Sequence, residues 1–288
     1  MTAVASSRPM GAFFVVFSAI GFGALAIFGK VAFASGASTA TVLFVRFLVA
    51  GGLMVLLMAA LHQPWPQGRD LMVLIGMGGL GYAGQAFCFF SALHHATAGL
   101  TGLLLYLYPA LVIIASALLG RRKLTIMKSF LALLSLFGIF LTVSGGLAGT
   151  PVGIAFGLGA ALIYTVYILV GEGVGERTGA ISAGCVIMLS AAGVFGTAML
   201  LEGPQPPGNI DGWLALGAIA VVSTLMPIVF FFAGMRRLGA SDASTLSTLE
   251  PVITLFLAYF FLGETLGLIQ SLGAALVIVA VVVLTRIH

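Results

Sequence analysis

The chain has 288 residues, 61% of them hydrophobic and 7% charged, with a formal net charge of +4. A water-soluble domain carries about 25% charged residues, so this composition excludes a soluble fold and reads as an integral membrane protein. The basic residues are scattered at segment ends, which excludes a nucleic-acid footprint. Cys88 and Cys185 lie inside apolar runs and read as buried free thiols.

A membrane span needs roughly 20 apolar residues. In chain order, spans are expected at 11–33, 39–61, 70–92, 97–119, 127–146, 150–172, 180–201, 212–235, 240–262 and 267–286. The first run, Gly11–Phe33, is longer than the apolar region of a signal peptide. The links are short and carry helix breakers: Ser35-Gly36, Pro64-Trp65-Pro66, Gly145-Gly146 and the stretch Gly203-Pro204-Gln205-Pro206-Pro207-Gly208. None has room for a soluble domain. Membrane strands alternate polar and apolar residues over about 10 positions, whereas these runs are continuous and longer. Cytoplasmic loops carry the excess of Lys and Arg. With the N-terminus inside, Arg8, Arg69, Arg121, Arg122, Lys123, Lys128, Arg177, Arg236, Arg237 and Arg286 all face the cytoplasm, leaving Lys30 outside and Arg46 within a span. Both termini are therefore expected on the cytoplasmic side.

The chain repeats itself. At an offset of 142, Ala98 matches Ala240, Leu104 matches Leu246, Leu107 matches Leu249, Pro109 matches Pro251 and Phe89-Phe90 match Phe231-Phe232. After one residue of slip, Gly120 matches Gly263 and Leu141-Thr142 match Leu284-Thr285. At an offset of 136, Gly21, Gly23, Ala24 and Ile27 match Gly157, Gly159, Ala160 and Ile163. The expected domains are 1–146 and 147–288, each a five-span half. Five is odd, so the second half must be inverted. The flanking charges agree, with Arg121-Arg122-Lys123 standing where the second copy has Glu264, and His94-His95 where it has Arg236-Arg237. An inverted repeat in an apolar chain is the signature of a secondary transporter.

Arg46, the Pro109/Pro251 pair and Leu262-Gly263-Glu264 resemble the drug/metabolite transporter superfamily, in its ten-span group with two EamA-type halves. The resemblance covers essentially the whole chain and is strongest to bacterial inner-membrane exporters of aromatic amino acids. It implies an all-α membrane fold of ten helices around a central cavity open to one side at a time, and efflux of amino acids or related metabolites. One departure is Gly120-Arg121, where such halves often carry Gly-Glu; the two half-ends therefore share no carboxylate.

Candidate site residues come from helical faces. In the fourth span Gly99, Gly102, Tyr106 and Pro109 recur at helical spacing. In the ninth, Ser241, Ser244, Thr248 and Pro251 occupy the same offsets. The two faces are expected to meet across the pseudo-two-fold axis, unless the hydroxyls simply bond back to their own helix. Pro109 and Pro251 each free a backbone carbonyl and are candidate hinges. Tyr82, Gln85 and Phe89 share a face of the third span. Gln85 has its repeat mate at Pro227, which implies a bent eighth span beside Phe230. Tyr164 corresponds to Phe28. Tyr82, Tyr106, Tyr164, Phe28 and Phe230 would suit a flat apolar cargo, although aromatics also serve as core filler and interfacial anchors.

Three charges stand apart. Glu250 lies near the middle of its span, where a carboxylate is costly unless paired, protonated or water-facing. It is a candidate coupling or ion-pair residue with Arg46, but falls one residue off the Ser244/Thr248 face. Arg46 otherwise reads as an anchor at the outer end, and Lys30 is expected to snorkel outward. Adjacent His94 and His95 do not share a helix face, so no metal site is expected.

The leading expectation is a secondary exporter of amino acids with aromatic or hydrophobic side chains, working by alternating access. The alternative is efflux of drug-like organic cations or other metabolites, with Glu250 as the midplane carboxylate and a proton as the coupling ion. No paired Asp or His-rich cluster lies within the spans, which excludes an intramembrane enzyme. Rings of charge and filter loops are lacking, although facilitated diffusion stays open. There is no phosphate-binding loop, so the drive must come from gradients or a partner. No cofactor is expected. The expected partners are a small-molecule substrate and the lipid bilayer, and a monomer is sufficient.

Overall fold

The computed structural model describes residues 7–120, 125–144 and 149–286. Arg121-Arg122-Lys123, Gly145-Gly146 and the boundary between 146 and 147 lie outside the described residues, as does the side chain of Ser241.

The apolar runs form helices because a backbone in lipid must satisfy its own polar groups. Nine helices among the described residues are long and apolar enough to cross a membrane: α1 (Arg8–Ala34), α2 (Thr39–Ala60), α3 (Gly68–His95), α4 (Ala98–Leu118), α5 (Ile126–Val143), α6 (Pro151–Gly171), α7 (Ala180–Glu202), α8 (Ile210–Leu238) and α9 (Asp242–Leu262). A tenth apolar helix, α10 (Leu268–Arg286), completes the expected set. Large apolar side chains such as Leu80, Val166 and Phe260 point outward, as a lipid-facing belt requires.

The most extensive helix contacts join α2 to α7, α5 to α10, α1 to α8 and α3 to α6. Each pair either maps onto itself or exchanges with another when the halves are swapped, which is the mark of a pseudo-two-fold axis. The second span of each half supplies the α2–α7 pair. Along it, Gly196 faces Phe44, Gly51 faces Leu189 and Gly184 faces Met54. One number falls as the other rises, so the helices are antiparallel and the halves are inverted. Small residues permit these close approaches in the absence of a strong hydrophobic drive.

Several spans are broken at repeat-equivalent places. In α4 the helix stops at Leu105 and restarts at Tyr108, with Pro109 in the first turn of the new segment. In α9 it stops at Ser247 and restarts at Glu250, with Pro251 in the same place. In α8 a π-helical turn, Val221–Leu225, precedes Pro227. The expected bend is therefore a π turn, and it is not the proline's alone, because α3 has the equivalent turn at Met77–Tyr82 without one. Thr224 Oγ1 donates to the Ile219 carbonyl at 2.7 Å, satisfying an acceptor inside the widened turn.

The two ends of the bundle differ. At one end Arg177 pairs with Asp70 at 2.7 Å and Arg8 with Asp242 at 2.6 Å. This end carries Arg69, Arg236 and Arg237 as well. The opposite end is tied by short links: Ser38 N donates to Gln205 O at 3.1 Å and Gly208 N to Ser35 O at 2.7 Å.

Candidate functional site

A cavity of about 930 Å³ runs from the middle of the bundle to the basic end, where Leu61, Gln63, Gly175, Ala180 and Arg236 line it. Such a volume accommodates small organic ligands. Its wall is mostly apolar, with Phe22, Met54, Ile187, Met188, Phe231 and Phe232 among the contributors. The polar groups concentrate at the inner end. Five of the six tyrosines, Tyr82, Tyr106, Tyr108, Tyr164 and Tyr167, line it together with Ser18, Ser247 and Glu250.

The tyrosines form one continuous wall. Tyr82 and Tyr167 have ring centroids 5.7 Å apart, Tyr167 and Tyr164 5.7 Å, Tyr164 and Tyr108 4.8 Å, and Tyr108 and Tyr106 5.9 Å. At one end of this wall the Tyr106 hydroxyl lies 2.8 Å from Glu250 Oε2 and 3.1 Å from the Ser247 carbonyl oxygen. At the other end Arg46 Nη2 donates to the Tyr82 hydroxyl at 3.2 Å.

Arg46 is buried behind the wall. Its Nε donates to Thr224 Oγ1 at 3.0 Å, and its guanidinium carbon sits 4.9 Å from the Phe47 ring centroid and 5.6 Å from that of Phe90. Tyr82 and Thr224 are repeat mates at the 142-residue offset, and each belongs to a π-helical turn. One guanidinium thus ties the widened turns of the two halves together. A charge in the bilayer core costs about 3 kcal/mol on insertion scales, and the hydroxyls and ring faces offset part of that. This corrects two expectations. Arg46 is not an anchor of outer loops, and it does not pair with Glu250: among the described residues neither has an ion-pair partner.

The structure places the other predicted residues as follows. Tyr82, Tyr106 and Tyr164 lie on the cavity wall. Glu250, expected off the lining face, is on it. The break before Pro251 resets the helical phase, so Ser247 and Glu250 line the cavity instead of Ser244 and Thr248. The Thr248 hydroxyl bonds back to the Thr245 carbonyl at 2.6 Å. Gly99 and Gly102 do not line it either; they are where Leu255 and Thr254 of α9 pack on α4. Gln85 and Phe89 are buried off the wall, beyond the Arg46 layer. Phe28 packs against the main core there. Phe230 stacks on Phe14, with centroids 5.5 Å apart, along the α1–α8 contact. Tyr108 and Tyr167 were missed. Tyr108 is the repeat mate of Glu250, and Tyr167 lies three residues beyond Tyr164, so repeat alignment and helical spacing both pointed to them.

The end opposite the mouth is closed by a set of charge-assisted bonds. Gly263 adopts a left-handed conformation, φ 65°, that terminates α9. Glu264 follows it, and its two carboxylate oxygens accept from Ala98 N at 2.7 Å and Gly99 N at 2.9 Å. A carboxylate at a helix N-terminus satisfies orphan donors and complements the dipole. Lys30 Nζ donates to the Ala96 carbonyl at 2.8 Å, so it turns inward to the link between α3 and α4 instead of snorkelling. His94 stacks on Phe33 at 3.8 Å and contacts Thr39 Oγ1 at 3.0 Å.

Residues 9–144 and again 151–286 match the EamA-like transporter family. YcbK of Bacillus subtilis, an uncharacterised transporter, is 30% identical across 91% of this chain and 88% of its own. An uncharacterised transporter of Archaeoglobus fulgidus is 28% identical across 94% of this chain and 95% of its own. The threonine/homoserine exporter RhtA of Salmonella typhimurium is 29% identical, with 85% of each chain covered. One crystal structure, at 20% identity, matches with a TM-score of 0.71 over 97% of this chain and 99% of its own, which shows a shared fold.

Proposed function

The chain belongs to the EamA-like transporter family, and on that premise we propose that it exports amino acids with aromatic or other hydrophobic side chains by alternating access. In this reading the halves are 1–146 and 147–288, and both termini and the cavity mouth face the cytoplasm across the plasma membrane. The basic residues at the mouth end support that orientation. In this reading a monomer is sufficient, because the two inverted halves of one chain face each other across the cavity.

One observation carries the alternation. Phe231 and Phe232 line the open cavity, while their repeat mates Phe89 and Phe90 are buried in the closed end at 5% and 0% exposure. Tyr164 lines it, while its mate Phe28 packs in the core. Each half holds the conformation the other would adopt if the halves exchanged roles. That exchange opens the opposite end, which is how inverted repeats yield two access states.

The tyrosine wall supports a hydrophobic or aromatic side chain, since ring faces and edges gain from flat apolar contact. The RhtA relatives are named for threonine and homoserine, which supports amino acids as the broader cargo class. The placement of Glu250 on the wall favours a second reading, efflux of organic cations. Counterflow in proteoliposomes separates the two. Labelled phenylalanine and leucine are expected to exchange faster than threonine. Tyr164→Ala is expected to slow phenylalanine by about tenfold, which is roughly 1.4 kcal/mol of lost wall contact. Movement of a cationic dye with no exchange of any amino acid overturns the leading reading.

A further inference from the structure

The inner end of the cavity has a more specific design than an aromatic wall. Glu250 opens the second segment of α9, and Tyr108 opens the second segment of α4. The two are repeat mates, each placed directly after its helix break and just before the repeat-matched prolines Pro251 and Pro109. The Tyr106 hydroxyl is 2.8 Å from the Glu250 carboxylate, and from Tyr106 the cavity wall continues through Tyr108, 5.9 Å away between centroids, to Tyr164, 4.8 Å from Tyr108. The ring pairs are tilted at 60° and 73°, so they present edges and faces in turn. A carboxylate beside several electron-rich ring faces is the chemistry that recognises an ammonium group.

We propose that Glu250, Tyr106, Tyr108 and Tyr164 form an ammonium site, in which a cargo's –NH3+ replaces the Tyr106 hydroxyl as the partner of the Glu250 carboxylate.

Three further observations support it. The Tyr106 proton faces two acceptors, Glu250 Oε2 and the Ser247 carbonyl, the latter at 3.1 Å. When an ammonium takes Glu250, the hydroxyl keeps the Ser247 carbonyl, so no donor is stranded. Arg46 sits behind Tyr82 at the other end of the tyrosine wall and carries a positive charge without a carboxylate partner among the described residues. It repels an ammonium and attracts a carboxylate, so the ammonium is favoured at the Glu250 end of the wall. The equivalent of Glu250 in the first half is Tyr108, so the transporter has one such site, at the level where both spans bend. A group held at the bends is reachable from either end as the halves rock.

The inference uses the amino-acid reading only to choose probes. Competition against labelled phenylalanine in purified protein tests it, with phenethylamine, which lacks the carboxylate, and 3-phenylpropanoate, which lacks the ammonium. Phenylalanine and phenethylamine are expected to compete at least about tenfold better than 3-phenylpropanoate, the discrimination that loss of one buried polar partner brings. Glu250→Gln should bring the three within about threefold of one another by removing the charge. Tyr106→Phe removes the hydroxyl that competes for Glu250, so it should tighten phenylalanine binding by about threefold or more, whereas a structural tyrosine would only weaken it. Equal competition by 3-phenylpropanoate in the wild type overturns the site, as does weaker binding in Tyr106→Phe or an unchanged preference in Glu250→Gln. If phenethylamine and phenylalanine compete but no amino acid crosses proteoliposomes, the export reading fails and the site stands. If phenylalanine crosses but the ammonium makes no difference, the site fails and the export reading stands.

Discussion

Replacing Glu264 with Ala should open the end of the transporter that is closed here. Glu264 holds α4 to the end of α9 through two bonds to backbone N–H groups, at 2.7 and 2.9 Å. Hydrogen bonds to a charged group are worth about 1.5–3 kcal/mol each, and the two N–H groups belong to the first turn of a helix, with no intrahelical acceptor. Part of the loss is recovered when water reaches the freed donors, which itself requires that end to open. A net shift of about 1.4 kcal/mol changes the ratio of the two access states tenfold. The check is labelling of Phe22→Cys, a cavity residue, in a background lacking Cys88 and Cys185. A membrane-impermeant thiol reagent should reach it from the Arg236 side alone in the parent. In Glu264→Ala it should also react from the opposite side, at least about tenfold faster than in the parent. Glu264→Gln keeps one good acceptor and should fall between. Unchanged labelling from the far side in Glu264→Ala means the bonds merely cap a helix and hold nothing shut.

The asymmetry of that latch was partly visible in the sequence. The position equivalent to Glu264 in the first half is Arg121, outside the described residues, and an arginine does not accept from a helix N-terminus. In the proposed cycle the basic end is therefore expected to close without such a carboxylate latch, although the helices around the two ends are related by symmetry.

How far the sequence reached follows from what its patterns encode. Runs of apolar residues and positive loops gave the spans, since backbone satisfaction and insertion depend on composition alone. Paired prolines gave the breaks in α4 and α9. The π turn in α3 was not legible, because no proline marks it and Met77–Tyr82 reads as ordinary glycine-rich helix. The face of α3 carrying Tyr82, Gln85 and Phe89 was read as one surface. Periodicity tells which residues share a face but carries no depth, and the cavity ends at Tyr82, where Arg46 closes it. Gln85 and Phe89 continue the same face into the closed end, as Phe28 does on α1. Glu250 was misjudged for a related reason. The break at Thr248–Leu249 rotates the second segment of α9, so extrapolating the Ser244/Thr248 face across it pointed the carboxylate away from the cavity. A face is reliable only within an unbroken helix.

The largest expected effect on the fold is at Gly273, where α10 crosses α5. A Cβ there would lie 2.5 Å from the Gly138 carbonyl oxygen and 2.6 Å from the Thr142 backbone nitrogen, besides meeting the Thr142 hydroxyl. The first two are backbone atoms and cannot rotate aside. Gly138 is crowded in return by the Gly273 carbonyl, 2.8 Å from where its own Cβ would be. Gly273→Val therefore has to push the two helices apart along their whole contact, and that contact is among the most extensive in the molecule. Overpacking costs of about 1–3 kcal/mol are usual in soluble cores, and with lipid on the far side no hydrophobic drive presses the helices back together. A cost near the upper end, about 3 kcal/mol, is expected. It should appear as a clear loss of melting temperature and of monodisperse yield in detergent. Gly217→Val is the control, because nothing lies within 4 Å of a Cβ at that position, and it should leave both unchanged. Neither α5 nor α10 contributes a residue to the cavity wall, so in the proposed alternating-access cycle these two helices are expected to form a fixed interface between the halves while the cavity-lining helices move. On that account, whatever Gly273→Val protein survives purification should still exchange phenylalanine at close to the parental rate per folded molecule. A surviving, folded fraction that binds phenylalanine but does not exchange it would instead place α5 and α10 among the parts that rock.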